Sequence, residues 1–167
     1  MTAEDEKRSQ ELPKKKQIDI YRDTPIRLLG YANEVGEAFR SLVHVNFVRL
    51  SYVVSVSYVL TDTYDKSSKM YKKEWSSAAV RRARVARTAV DTVTWQMLAS
   101  VIVPGFTINR LCYFSGKLLT RLTSLPTPVR KWTTTAIGLG AIPFIVKPID
   151  HSVEFAMNNT IRKFYAR

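Results

Sequence analysis

The feature that most limits what this chain can become is an eighteen-residue stretch, Thr92 to Asn109, without a single Asp, Glu, Lys or Arg. Eighteen residues is the lower limit for a helix that crosses a bilayer. Two shorter stretches of the same kind exist: Trp132 to Val146, reading WTTTAIGLGAIPFIV, and Leu50 to Thr61, reading LSYVVSVSYVLT. Aromatics stand near several of their ends (Phe47, Tyr64, Trp95, Trp132), where interfacial anchors belong. A buried helix of a soluble bundle shows charge-free runs of similar length, so a soluble basic helical protein stays open as a reading. The mean hydropathy of −0.13 conceals this segregation.

The chain has 167 residues and a net charge of +12, from 26 Lys+Arg against 14 Asp+Glu. The surplus is local. Residues 61–88 carry eight basic and three acidic residues, and residues 107–132 carry five basic and no acidic ones. The cations therefore bracket the apolar runs and do not interleave with aromatics on a recognition surface. That argues for anionic membrane lipid and against nucleic acid. By the positive-inside tendency the basic loop at about 61–80 resists translocation. Charge alone leaves three or four membrane segments open, and an interfacial third helix is the compromise between them.

Strand signals are thin and no Asn-Gly or Asp-Gly turn occurs, so the chain reads as all-α: a small multi-pass membrane helical bundle with amphipathic and interfacial helices. Residues 1–19 mix acids and bases without an apolar core and read as a disordered tail, ahead of a single helical membrane domain over 20–167. Thr24-Pro25 and Thr127-Pro128 each read as a cap followed by a first-turn proline. Pro104-Gly105 is expected to end or kink one helix. Lys147-Pro148 is expected to break another, leaving Asp150 to cap the last.

In the first helix Leu28, Ala32, Val35, Phe39 and Leu42 fall on one stripe suited to packing, with Arg27, Glu34, Glu37 and Arg40 opposite. Ala32 and Gly36 would let another helix approach closely. Further on, Arg110, Lys117 and Arg121 lie within about 40° on a helical wheel. Together with Arg130 and Lys131 they are the candidates for lipid-headgroup contact. Glu34, Arg49 and Asp91 are the candidates for polar contacts within a helix or the bundle, since ionisable groups at membrane depth turn inward.

Nothing catalytic emerges. The chain lacks GxSxG, GxxxxGK[ST] and GxGxxG. Its one cysteine, Cys112, and two histidines, His44 and His151, fit no metal-ligand spacing. No catalytic, cofactor or metal residue is therefore expected.

The strings GYANEVGEAFRSLV from Gly30, PGFTINR from Pro104 and RKWTTTA from Arg130, in this order, closely resemble the mitochondrial fission process protein family, also called the mitochondrial 18 kDa protein. The likeness covers about residues 21–165. It implies a non-catalytic multi-pass protein of the mitochondrial inner membrane that promotes fission and maintains inner-membrane organisation; other inner-membrane proteins are candidate partners that the sequence does not identify. The chain departs from the family pattern in its N-terminal tail, its 61–88 segment and the polar His44, Asn46 and Arg49. A small solute channel or carrier of the same membrane, with Arg49, Glu34 and Asp91 facing a polar interior, is the alternative.

Overall fold

The computed structural model describes Tyr21 and residues 25–166, with side chains as far as Lys163; the expected tail, residues 1–19, lies outside them, as does Thr24. All regular structure among the described residues is helical. A 3-10 segment, Pro25–Tyr31, leads into α1 (Ala32–Phe39), followed by α2 (Val45–Tyr71). Then α3 (Ala78–Gln96) runs through a π-helical segment, Met97–Ile102, into α4 (Val103–Leu122). Long α5 (Thr127–Asn159) and short α6 (Ile161–Ala166) complete the chain.

Short turns join the long helices, so consecutive ones pack antiparallel. The helix α2 lies along α3, and α4 lies along α5. Short α1 packs against α2, α4 and α5. One apolar cluster gathers Trp95, Ala99, Ile149, Val153 and Met157, and a second gathers Tyr58, Val59 and Val101.

Local chemistry sets several boundaries. The His44 ring accepts from the Asn46 amide at 3.2 Å and opens α2. Ser77 Oγ accepts from the Val80 amide at 3.2 Å and opens α3. The basic loop expected over 61–80 is mostly helix: α2 continues to Tyr71 and α3 starts at Ala78. Asp62 with Lys66 and Asp65 with Lys69 are pairs four apart in the favoured order, acid first, and they carry the helix forward.

The prolines do less than expected. Pro25 opens a 3-10 turn, and Thr127 lies inside α5, whose start has no side-chain cap. Pro104-Gly105 does not end its helix; the chain is helical from Ala78 to Leu122, 45 residues. Just before it the Val103 amide reaches the Leu98 carbonyl, one residue beyond an α-helical bond. This wider turn accommodates the proline without ending the rod. Pro143 and Pro148 both sit within α5. Their rings lie on the exposed side, clear of the buried contacts of Ile149 and Val153. Asp150 is accordingly no cap; it is mid-helix and pairs with Arg27.

The polarity of α1 is the reverse of the expected one. Asn33, Glu34, Glu37 and Ala38 are buried, whereas Leu28 is 66% exposed and Val35 41% exposed. Asn33 and Glu37 find partners there, on α2, the π segment and α4, and Glu34 is carried inward on the same face. Among the described residues, only Ala78–Leu122 is long and apolar enough to cross a membrane by length and composition. The expected three or four segments thus reduce to one helix that meets this test: α2 and α5 hold the shorter apolar runs, flanked too closely by charge or polar groups. Only 33% of the apolar window of Ala78–Leu122 is buried, unlike the core helix of a soluble bundle.

Candidate functional site

The interior is a polar seam built where α1 meets α2 and α4. Asn33 on α1 donates from Nδ2 to the Val101 carbonyl at 3.0 Å, and its Oδ1 accepts from Ser55 Oγ at 2.9 Å. One turn on, Glu37 is held from three helices. Arg40 donates to both carboxylate oxygens at 2.6 Å, Tyr52 of α2 donates to Oε1 at 2.9 Å, and Asn109 of α4 donates to Oε2 at 2.7 Å. Burial opposes charge on Glu37, but the hydrogen bonds from Arg40, Asn109 and Tyr52 together hold its carboxyl below the usual range. Deeper along α2, buried Asp62 accepts from Gln96 at 2.5 Å and pairs with Lys66, and Ser100 donates to Gln96 at 2.8 Å.

Glu34 is different. It is fully buried, and among the described residues none donates a hydrogen bond to either carboxylate oxygen. Burial pushes its carboxyl up to about 8, with its own amide and the Arg27 charge pulling more weakly the other way. The other two residues expected to make interior contacts lie elsewhere. Arg49 is exposed on α2. Asp91, half-buried on α3, accepts from Arg162 at 2.7 and 2.8 Å, and Arg162 also pairs with Glu154. The three do not share one polar interior.

The five candidate lipid contacts are spread along α4 and the start of α5. The turn 123–126 brings the end of α4, with Lys117 and Arg121, toward Arg130 and Lys131, whereas Arg110 lies about three turns earlier on α4. All are exposed except Arg130, which is half-buried and donates to Thr127 Oγ1 at 3.3 Å. Lys117 and Arg121 share a shallow depression with Phe114 and Leu118. The Arg110 guanidinium lies 5.6 Å from both the Phe106 and Tyr113 ring centres. Beside it opens a cavity of about 290 Å³ whose wall includes Glu37, Arg40, Arg110 and Cys112.

Sequence reasoning missed Arg40, Tyr52 and Asn109 as one constellation. The spacing of Glu37 and Arg40, three apart, was the available signal; the reach of Asn109 across 72 positions was not legible. Among the described residues no three His, Cys, Asp or Glu side chains converge.

The three strings that carry the family likeness meet in this region. Asn109 of PGFTINR binds Glu37 of GYANEVGEAFRSLV, and Thr135 of RKWTTTA donates to the Ala38 carbonyl at 3.0 Å. The family model of the mitochondrial 18 kDa protein matches residues 21–157. The chain belongs to the mitochondrial 18 kDa protein family. Mitochondrial fission process protein 1 of Caenorhabditis elegans is 58% identical over 147 residues, 88% of this chain and 89% of that protein. Its human namesake is 54% identical over 157 residues, 94% of each chain. An uncharacterised protein of Acanthamoeba polyphaga mimivirus is 26% identical over 136 residues, 79% of this chain and 71% of its own. No solved structure matches. In this member of the mitochondrial 18 kDa protein family, the family strings thus build the contact between α1, α4 and α5.

Proposed function

We propose that this chain is a non-catalytic protein of the mitochondrial inner membrane that promotes mitochondrial fission and maintains the organisation of that membrane. The names of its relatives at 54–59% identity support the fission role. The observation that carries the membrane reading is a buried polar seam combined with large apolar side chains on the outer surface. Buried positions hold Asn33, Glu34, Glu37, Asp62 and Gln96, while Phe47, Leu50, Val53, Ile102, Phe106 and Phe144 are all more than half exposed. Water would penalise that outer surface, and hydrocarbon would not. On this reading α2 and α5 flank the long helix within the bilayer, which makes the protein multi-pass. Arg110, Lys117, Arg121, Arg130 and Lys131 then contact anionic headgroups, each contributing roughly 1 kcal/mol near such a surface.

The test pairs location with phenotype. After carbonate extraction of mitochondria the chain is expected in the membrane pellet, protected from protease until the outer membrane is opened. Its depletion is expected to lengthen mitochondria, with re-expression restoring their size. Recovery in the carbonate supernatant overturns the membrane reading, and unchanged mitochondrial length overturns the fission role.

Buried Glu34, unpartnered among the described residues, is the observation that favours a second reading, a small solute channel or carrier. Solute flux in reconstituted vesicles that disappears with Glu34→Gln is the result that would select it.

A further inference from the structure

The half of the bundle around Glu37 is rich in cations and, among the described residues, poor in acids. Between Ala38 and Thr61, and again between Thr92 and Ile149, the sequence contains no Asp or Glu. Those two segments supply Arg40, Arg49, Arg110, Lys117, Arg121, Arg130, Lys131 and Lys147, and among them Arg40 pairs with Glu37 of α1. Both oxygens of Glu37 are already taken, by Arg40, Tyr52 and Asn109. The opposite end of α2 differs, since there Asp62 pairs with Lys66 and Asp65 with Lys69. Among the described residues no further acid pairs with these cations, which leaves them open to an anionic ligand.

The cavity beside Glu37 says where. Its volume is about 290 Å³, at the small end for ligand pockets and nearer to a headgroup with its glycerol than to a whole lipid. Arg40 and Arg110 line it together; Arg110 is exposed and the Arg40 side chain is 45% exposed. After the charge of Glu37 is subtracted, one positive charge remains. Tyr113, in the cavity wall, meets Phe114 edge-on, and Phe106 lies against the Arg110 guanidinium; all three rings are exposed. A charged recess beside exposed aromatic rings fits a molecule with one anionic group joined to hydrocarbon.

We propose that this cavity binds the phosphodiester headgroup of an anionic phospholipid, with Arg110 and Arg40 on the phosphate and the acyl chains lying over Tyr113, Phe106 and Phe114. This assigns one defined site, including Arg40, within the diffuse lipid contact proposed above, and it rests on the membrane reading given there. Arg110 is the clearer determinant, because Arg40 also holds Glu37.

The cavity carries its own reporter, since its wall includes Cys112, the one cysteine of the sequence. The full chain, purified in a zwitterionic detergent, is alkylated at Cys112 with a maleimide in the presence of increasing phosphatidylglycerol, phosphatidylcholine or glycerol 3-phosphate. Phosphatidylglycerol is expected to slow alkylation in a saturable manner, and the other two are expected to leave the rate unchanged. With Arg110→Gln the phosphatidylglycerol fraction that gives half-protection should rise about fivefold, the loss expected for one surface arginine. Protection in each variant is normalised to that variant's own lipid-free rate, because Arg110 and Cys112 share one wall. If that rate changes, Arg110→Lys, which keeps the charge, is compared with Arg110→Gln for the same fivefold difference. Equal protection by phosphatidylcholine, protection by glycerol 3-phosphate alone, or full protection in Arg110→Gln overturns the proposal. Failure here in a chain that still resists carbonate extraction removes this site and leaves the membrane reading standing.

Discussion

Gly138 and Gly140 lie two residues apart in α5 and meet opposite surroundings. A methyl group on Gly138 would stand 2.6 Å from Cys112 Sγ and 3.0 Å from Ala38 Cβ, where α1, α4 and α5 cross. A methyl group on Gly140 would meet nothing within 4 Å. Gly138→Ala should therefore cost about 1–3 kcal/mol through overpacking. Gly140→Ala should be neutral or stabilise by up to about 1 kcal/mol, because alanine is the better helix former. Thermal melts of the two variants in detergent check this, and equal behaviour would contradict the crossing described. The sequence GLGA indicates that helix packing is at stake, but which glycine is used depends on the facing helices. Gly36 is the same case: a methyl group there would fall 1.9 Å from Ser51 Oγ on α2. Glu34 and Glu37 also read alike in the sequence, three apart on one face. Partners from α2 and α4 keep one charged, and their absence leaves the other favouring its proton at pH 7.

Among the elements, the rod formed by α3, the π segment and α4 is the least expected. Pro104-Gly105 reads as a stop because proline removes an amide donor, a local fact. Contacts along both α2 and α5 hold the rod on either side of that point. Its continuity is measurable as a distance. Spin labels at Arg82 and Arg121, in a Cys112→Ser background, should lie about 58 Å apart along an unbroken helix at 1.5 Å per residue. A right-angle break at Pro104 would bring them to about 42 Å. At this length, about 68 Å, the rod exceeds a hydrocarbon core of about 30 Å. Its Arg-rich start and its basic end both have to project beyond the eighteen apolar residues. The caps at Ser77 and His44 act through atoms two or three residues away, within reach of sequence reasoning. Pro148 and Asp150 gave the opposite lesson: the expected break and cap dissolve once Ile149 and Val153 pack on Trp95 and Arg27 reaches Asp150.

For the molecule as a whole, the decisive property is which side of each helix faces out. Phe106 and Phe144 are 63% and 78% exposed, so replacing both with Gln removes little packing. The melting temperature in detergent should stay close to that of the parent, within the usual range of surface substitutions. Retention in carbonate-washed membranes should fall, since a polar amide in hydrocarbon is unfavourable. Unchanged retention would mean that this face does not meet lipid. The all-helical class, the family, the eighteen-residue apolar run and the placement of charge at its flanks are all legible in the amino-acid sequence alone. Each of these is written in neighbouring residues, through backbone propensity, hydropathy and local charge. Packing between distant segments is what turns the carboxylates of α1 inward and Val35 outward, and what joins Glu37, Tyr52 and Asn109 in one constellation. It alone brought Arg40 and Arg110 to a common cavity. Periodicity defines two faces of a helix but not which is buried; that choice is set by the hydrogen-bond partners and the surrounding medium, which lie far away in sequence or outside the chain altogether.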